Sequence, residues 1–201
     1  MNFQNTIKSV ALTTLMVASV AVQAQAGKSP FSYDFIEVGA ARQSVETAAA
    51  TVDATSYGLA GSKMISNDIF VLGSFASVKV DGTLGGVVDP TSTDFSIGFG
   101  TRFSIAPNAD LVASVSYDAS NADNGDSKGY TLPIGIRFQA LNNVEIYGSY
   151  YAKKVGDSRL RGPLLGASYS LSKEMEIGLD TTRYSGDIEG ARTAVSLRYN
   201  F

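Results

Sequence analysis

The chain has 201 residues, only 17% of them are charged, and its formal net charge is −3. This balance excludes the general positive field that proteins use to attract nucleic acid. Cysteine and histidine are both absent, which excludes disulfides, zinc sites with Cys or His ligands, and catalytic sites that use His as a general base.

The N-terminus has the pattern of a cleaved signal peptide. Lys8 is the only charge before a run of small and apolar residues from Val10 to Val22. This run is shorter than the stretch of about 20 residues that a spanning helix needs. Small residues that suit a cleavage site follow at Ala24 and Ala26, and the choice between them stays open. We expect a signal peptide, a short N-terminal segment and one folded domain over residues 1–24, 25–30 and 31–201.

Alternating apolar and polar residues predict β-strands along the rest of the chain. The pattern is clearest over 95–103, where Phe95, Phe99 and Phe103 share one face while small residues and one arginine occupy the other. Strand side chains alternate in this way with a period of two. About ten strands are expected, over 32–41, 55–64, 69–79, 95–103, 111–118, 130–138, 144–153, 163–171, 175–182 and 192–201.

The faces of the first three strands are not settled by the sequence. In 69–79, either Phe70 and Leu72 or Val71 and Phe75 could point outward. For this reason a count of eight strands stays open beside ten.

Connectors of two kinds separate the strands. Tight turns are expected at Ser66-Asn67, Pro107-Asn108, Asn142-Asn143 and Ser172-Lys173. Between them lie longer polar segments near 43–53, 80–93, 119–128, 154–160 and 185–190. Short turns at one end and longer loops at the other are typical of transmembrane β-barrels, with both termini at the short-turn end.

A soluble sandwich or a lipocalin-like barrel would show the same alternation, so the length and content of the faces must decide. The apolar faces run for about nine residues, which suits a tilted membrane-spanning strand better than the shorter strands of soluble proteins. Aromatic residues stand at both ends of these faces, as do Phe95 and Phe103, or Tyr130 and Phe138. We therefore predict an all-β fold, a closed antiparallel transmembrane β-barrel.

The signal peptide, these strands and the final Leu197-Arg198-Tyr199-Asn200-Phe201 resemble the small outer-membrane β-barrel proteins of Gram-negative bacteria, the porin-like class. The resemblance implies that Val195, Leu197, Tyr199 and Phe201 form a C-terminal assembly signal read by the barrel-assembly machinery. It also implies periplasmic chaperones as partners during biogenesis, with outer-membrane lipid and lipopolysaccharide around a monomeric barrel that needs no cofactor. Tryptophan, which usually contributes to the aromatic girdles of this class, is absent here, and Tyr and Phe would take its place.

Charged residues on the inward faces predict a belt of ion pairs near the short-turn end. Arg102, Arg137 and Arg198 fall at this level on strands that run towards the short-turn end. Glu145 and Glu176 fall there on strands that run away from it. Counting along each hairpin places Arg137 opposite Glu145 and Glu176 opposite Arg198, close enough to pair. A second layer nearer the loops is expected to include Asp118, Lys153, Asp180 and Arg192. Alternatively, these charges only hydrate a polar interior.

Two functions stay open for such a barrel. Because Gly and Ser leave little bulk inside, a narrow channel for small solutes fits, and so does a non-conducting barrel that supports the envelope or binds a partner. Enzymatic activity is not expected, because enzymatic barrels generally depend on a histidine. The Asp- and Asn-rich segment 118–128 lacks the spacing of a calcium loop, and turn formation explains its composition more simply.

Overall fold

The computed structural model describes residues 29–46, 51–81, 83–84, 87–88, 90–123 and 125–201. The predicted signal peptide over 1–24 and the residues 25–28 lie outside these ranges. Among the described residues, no helix is long and apolar enough to cross a membrane.

Ten long strands of the described residues form one closed antiparallel barrel, which confirms the predicted fold and the count of ten. The strands in chain order are β1 (Phe35–Glu46), β2 (Thr51–Met64), β3 (Ile69–Asp81), the two short strands β4 (Thr83–Leu84) and β5 (Val87–Val88), β6 (Thr91–Ala106), β7 (Ala109–Ala122), β8 (Ser127–Leu141), β9 (Val144–Val155), β10 (Ser158–Ser170), β11 (Met175–Gly186) and β12 (Glu189–Asn200). β4 and β5 pair only with each other, outside the barrel wall. The ten long strands pair in the order in which they follow each other along the chain, and β1 also pairs with β12.

The barrel closes where β12 pairs with β1. The register runs from Phe35 opposite Asn200 to Glu46 opposite Glu189. This pairing removes both sheet edges, so neither strand presents a row of unpaired backbone groups. The first strand begins at Phe35 rather than at residue 32, and Tyr33 precedes it.

Two faces separate as the alternation predicts. Phe70 on β3 is fully buried and Phe75 is 51% exposed, which resolves the open choice on this strand in favour of Phe75 pointing outward. Large apolar residues cover the outside of the wall and form what we call the apolar belt. The belt includes Ile36, Val38, Leu59, Phe75, Phe95, Ile97, Phe99, Phe103, Tyr117, Tyr130, Leu132, Ile134, Ile136, Phe138, Tyr150, Leu165, Tyr169, Leu179, Val195, Leu197 and Tyr199.

The connections at the two ends differ less than the sequence suggests. Short connections lie at 65–68, 107–108, 142–143 and 171–174, as predicted, and we call this end the turn end. At the opposite, loop end the expected long segments 154–160 and 185–190 are wrong, because only residues 156–157 and 187–188 separate the strands there. The strands extend beyond the apolar belt at this end, and their residues there are polar. Because loops have the same polar composition, the sequence suggested loops at these positions.

Candidate functional site in the barrel lumen

The segment before β1 fills the lumen at the turn end. Phe31 and Tyr33 are buried and pack against Phe70 and Val112, whose side chains point inward from β3 and β7. The guanidinium carbon of Arg137 lies 4.6 Å from the ring centre of Phe31 and 4.8 Å from that of Tyr33. At these distances the cation is attracted by both rings. We call Phe31 and Tyr33 the aromatic plug. The strand predicted over 32–41 did not distinguish Tyr33 of this plug from the residues of the barrel wall.

Arg137 also forms an ion pair with Glu145, through hydrogen bonds from Nε and Nη2 to the two carboxylate oxygens. The predicted register is wrong at this hairpin: Gln139 lies opposite Glu145, and a bulge follows between Gln139 and Leu141. The long Arg137 side chain spans the two-residue offset. Its Nη1 atom donates a further hydrogen bond of 3.2 Å to the carbonyl of Ser32, which ties the plug to the wall.

Arg198 lies opposite Glu176 in the register of β11 and β12, as expected from the hairpin count. Its stronger partner is Glu37 on β1, since Nε and Nη2 donate to the same Glu37 oxygen at 2.9 and 2.8 Å. The Glu176 carboxylate is 3.6 Å from Nη1 and accepts a hydrogen bond of 2.9 Å from Asn200. The ring of Phe35 lies 4.2 Å from the Arg198 guanidinium carbon. Sequence reasoning missed Glu37 because the faces of the first strand were unassigned.

Arg102 is buried beside Asp110, which the sequence analysis also missed. Asp110 has no exposed surface, and it accepts hydrogen bonds from Ser29 at 2.9 Å, Tyr33 at 3.0 Å and Ser104 at 2.7 Å. The nearest Arg102 nitrogen is 3.5 Å away. Two of these donors come from the segment before β1, so the plug is held by polar contacts as well as by ring packing.

The four residues of the expected second layer are brought together as two pairs. Lys153 lies 3.4 Å from Asp118, and Arg192 lies 2.9 Å from Asp180. Asp118 also accepts a hydrogen bond from Thr131. It therefore belongs to the lumen and not to a loop that could wrap a cation. Among the described residues, no cluster of three or more acidic side chains could hold a metal ion.

The lumen contains more bulk than the sequence pattern of Gly and Ser suggests. Tyr147 projects inward over Gly166, where an added Cβ would lie 2.4 Å from the tyrosine ring. Near the loop end, Ala54, Val78 and Val80 form a separate apolar cluster. A cavity of about 40 Å³ lies between Val112, Arg137 and Leu164, with space for about three water molecules. The lumen is thus packed with alternating ion pairs and apolar groups.

Three residues of the expected C-terminal assembly signal lie on the outer face of β12, and the fourth, Phe201, directly follows this strand. Val195, Leu197, Tyr199 and Phe201 are each 40 to 57% exposed. Val195, Leu197 and Tyr199 belong to the apolar belt, and Phe201, which follows β12, extends it at the turn end. Their recognition by an assembly machinery stays a prediction.

A closed antiparallel barrel with an apolar outer wall and ion pairs inside is the architecture of the outer-membrane β-barrel proteins. No protein-family model and no curated protein matches the chain. Among solved structures, the transport unit of the autotransporter AIDA-I from Escherichia coli has a TM-score of 0.52 at 9% identity, covering 98% of this chain and 96% of that one. The outer membrane protease OmpT from Escherichia coli has a TM-score of 0.50 at 12% identity, covering 84% and 95%. The KdgM porin has a TM-score of 0.47 at 15% identity, covering 83% and 99%. The likeness to the first two structures shows the fold alone and carries no activity.

Proposed function

We propose that this protein is an integral outer-membrane barrel that does not conduct and supports the envelope or presents its loop end to partners. The observation that carries the proposal is the aromatic plug at the turn end, where Arg137 is held between Phe31 and Tyr33. The fold class supports the membrane location, and the packed lumen supports the absence of a water path.

Opening the lumen at the turn end requires several contacts to break together. Arg137 would lose both rings, each contact contributing about 0.5–2 kcal/mol. Asp110 would lose Ser29 and Tyr33 as hydrogen-bond donors and keep only Ser104 and Arg102, and a hydrogen bond to a charged group contributes about 1.5–3 kcal/mol. These contributions favour the closed arrangement over one in which the segment has withdrawn.

A narrow channel for small solutes is the second candidate. The ion pairs Asp118–Lys153 and Asp180–Arg192 line the lumen nearer the loop end, and such charges would select among permeating ions. In this case the segment before β1 would act as a gate. Neither candidate assigns a catalytic step to the chain.

Single-channel recording in a planar bilayer tests the proposal. We expect the refolded wild-type barrel to give no regular conductance steps. A Phe31→Ala/Tyr33→Ala variant should gain conductance because it removes the rings that fill the turn end. Phe99→Ala, which removes a ring from the outside of the wall, is the matched control and should stay silent. Regular steps from the wild-type barrel would contradict the proposal and favour the channel.

A further inference from the structure

Five basic residues cluster on the outer wall, on the loop-end side of the apolar belt. They all point outward from the neighbouring strands β8 to β11, and they are Lys128, Lys154, Arg159, Arg161 and Arg183. The registers place Lys154 opposite both Tyr130 and Arg159, and Arg161 opposite Ala152. Nearly a third of the lysines and arginines in the chain, five of 16, therefore lie on one side of the barrel.

A groove of about 470 Å³ lies within this cluster, bordered by Tyr130, Lys154, Arg159 and Arg161. Ala152 forms its floor, because this small outward residue stands between the larger Leu132 and Arg161. The groove lies directly beyond Leu132 and Tyr150 of the apolar belt. A molecule with apolar chains on the belt could thus place its polar head in the groove.

The charge of the cluster is offset only in part by the protein, through the Asp187 carboxylate that also lines the groove. None of the five side chains has an ion pair or a hydrogen bond to another side chain among the described residues. By contrast, Arg42, which points outward near the loop end of β1, lies 3.1 Å from Asp53. Within the groove, the Asp187 carboxylate accepts a hydrogen bond of 2.8 Å from the backbone NH of Arg159. The five basic side chains therefore attract an anion from outside the chain.

We propose that this groove binds the phosphate groups of a phosphorylated glycolipid, the lipid A part of lipopolysaccharide. Arginine and lysine side chains at the edge of an apolar surface attract anionic lipid head groups. A soluble anion would gain nothing from the adjoining belt, whereas the acyl chains of lipid A would lie along Leu132, Ile134 and Tyr150. The proposal rests on the outer-membrane location proposed above and is independent of whether the lumen conducts.

Native mass spectrometry of the refolded barrel in non-ionic detergent tests this assignment. The probes are lipid A with two phosphates, dephosphorylated lipid A and inorganic phosphate. We expect bisphosphorylated lipid A to remain bound to the wild-type barrel. Its affinity for a Lys154→Gln/Arg159→Gln/Arg161→Gln variant should fall by about tenfold or more, since three charge-assisted contacts are lost.

The matched control is Arg42→Gln/Lys79→Gln, which removes two outward charges near the loop end on the other side of the barrel and should leave the affinity unchanged. An unboiled gel checks that each variant folds. Undiminished affinity in the triple variant, or equal affinity for dephosphorylated lipid A, would overturn the site. Competition by inorganic phosphate at a concentration equal to that of lipid A would overturn the lipid as its ligand. These outcomes leave the conductance result, and hence the proposed function, untouched.

Discussion

Arg198 on the last barrel strand donates two hydrogen bonds to Glu37 on the first, at 2.9 and 2.8 Å. The two residues lie directly opposite each other where the barrel closes. Both side chains are almost fully buried, with 5% and 9% exposed. Separation of β1 from β12 would leave the Arg198 charge inside the wall with only the more distant Glu176. The closing seam of the barrel thus contains its own ionic contact.

Glu37→Gln should lower the free energy of unfolding by about 3–5 kcal/mol, because a buried charge loses its partner. Glu176→Gln should cost less, since this carboxylate is 3.6 Å from Arg198. Urea unfolding in lipid vesicles, followed by circular dichroism and by gel mobility, measures both effects.

The exposed pair Arg42–Asp53 is the control, with side chains 75% and 43% exposed. Asp53→Asn should change stability by less than about 1 kcal/mol. A Glu37→Leu/Arg198→Met double variant should recover most of the loss, because apolar groups can replace a buried ion pair at little cost. If Glu37→Gln cost no more than Asp53→Asn, the seam contact would contribute nothing to stability.

Gly100→Ala should destabilise the barrel, since a Cβ at this position would lie 1.8 Å from Cζ of Phe70. Phe70 is fully buried and cannot move without disturbing the plug. Overpacking of this kind costs about 1–3 kcal/mol. The midpoint of urea unfolding in vesicles measures the effect.

Gly73→Ala is the matched control, because its Cβ would meet only the Ser96 carbonyl oxygen, at 3.5 Å. It should leave the midpoint almost unchanged. Phe70→Leu in the Gly100→Ala background should recover part of the loss by shortening the opposing side chain. An equal loss for both glycine variants would mean that contact with Phe70 does not determine the effect, since the lower backbone entropy of alanine in the unfolded chain would stabilise both variants.

Periodicity predicted the parts of this fold that depend on the chain locally. The alternation over 95–103 identified the outward Phe95 and Phe103, and the hairpin count placed Glu176 opposite Arg198. The plug was not predictable in this way. Phe31 and Tyr33 continue the two-residue spacing of Phe35 and therefore look like the start of a strand, although their rings turn into the lumen.

The partners of the buried arginines cannot be predicted from residue spacing along single hairpins. Glu37 meets Arg198 only through the pairing of the first and last strands, 161 residues apart. The turn at 142–143 and the bulge after Gln139 place Gln139 opposite Glu145, and only the length of the Arg137 side chain restores the contact. Flexible side chains and local irregularities therefore limit what a count along the hairpins can establish.

Asp123 at the loop end should titrate below the ordinary range of aspartate. Hydrogen bonds from the backbone NH and the hydroxyl of Thr91, at 2.8 and 2.9 Å, stabilise the carboxylate and lower the pKa of Asp123. Because the folded pKa is depressed, this contribution is present at neutral pH and is lost as the pH falls through the folded pKa. NMR titration of the Asp123 carboxyl and the Thr91 amide measures it.

Asp123→Asn is the control for this titration, because the amide oxygen can still accept both hydrogen bonds but does not ionise. Protection of the Thr91 amide against hydrogen exchange should then become independent of pH in the acidic range. Equal loss of protection in wild type and Asp123→Asn would assign the acid response to another group.

Leu165→Arg should destabilise the barrel in lipid vesicles by about 2–4 kcal/mol, the cost of an arginine near the bilayer midplane. Leu165 is 62% exposed on the outside of β10, halfway between Tyr169 and Arg161. Thr93→Arg is the matched control, because this outward residue lies beyond Phe95 towards the loop end, at the level of Ser77 and Asn121. It should cost less than about 1 kcal/mol. Since a barrel surrounded by water would tolerate both arginines equally, equal urea midpoints for the two variants would contradict a membrane-spanning apolar belt.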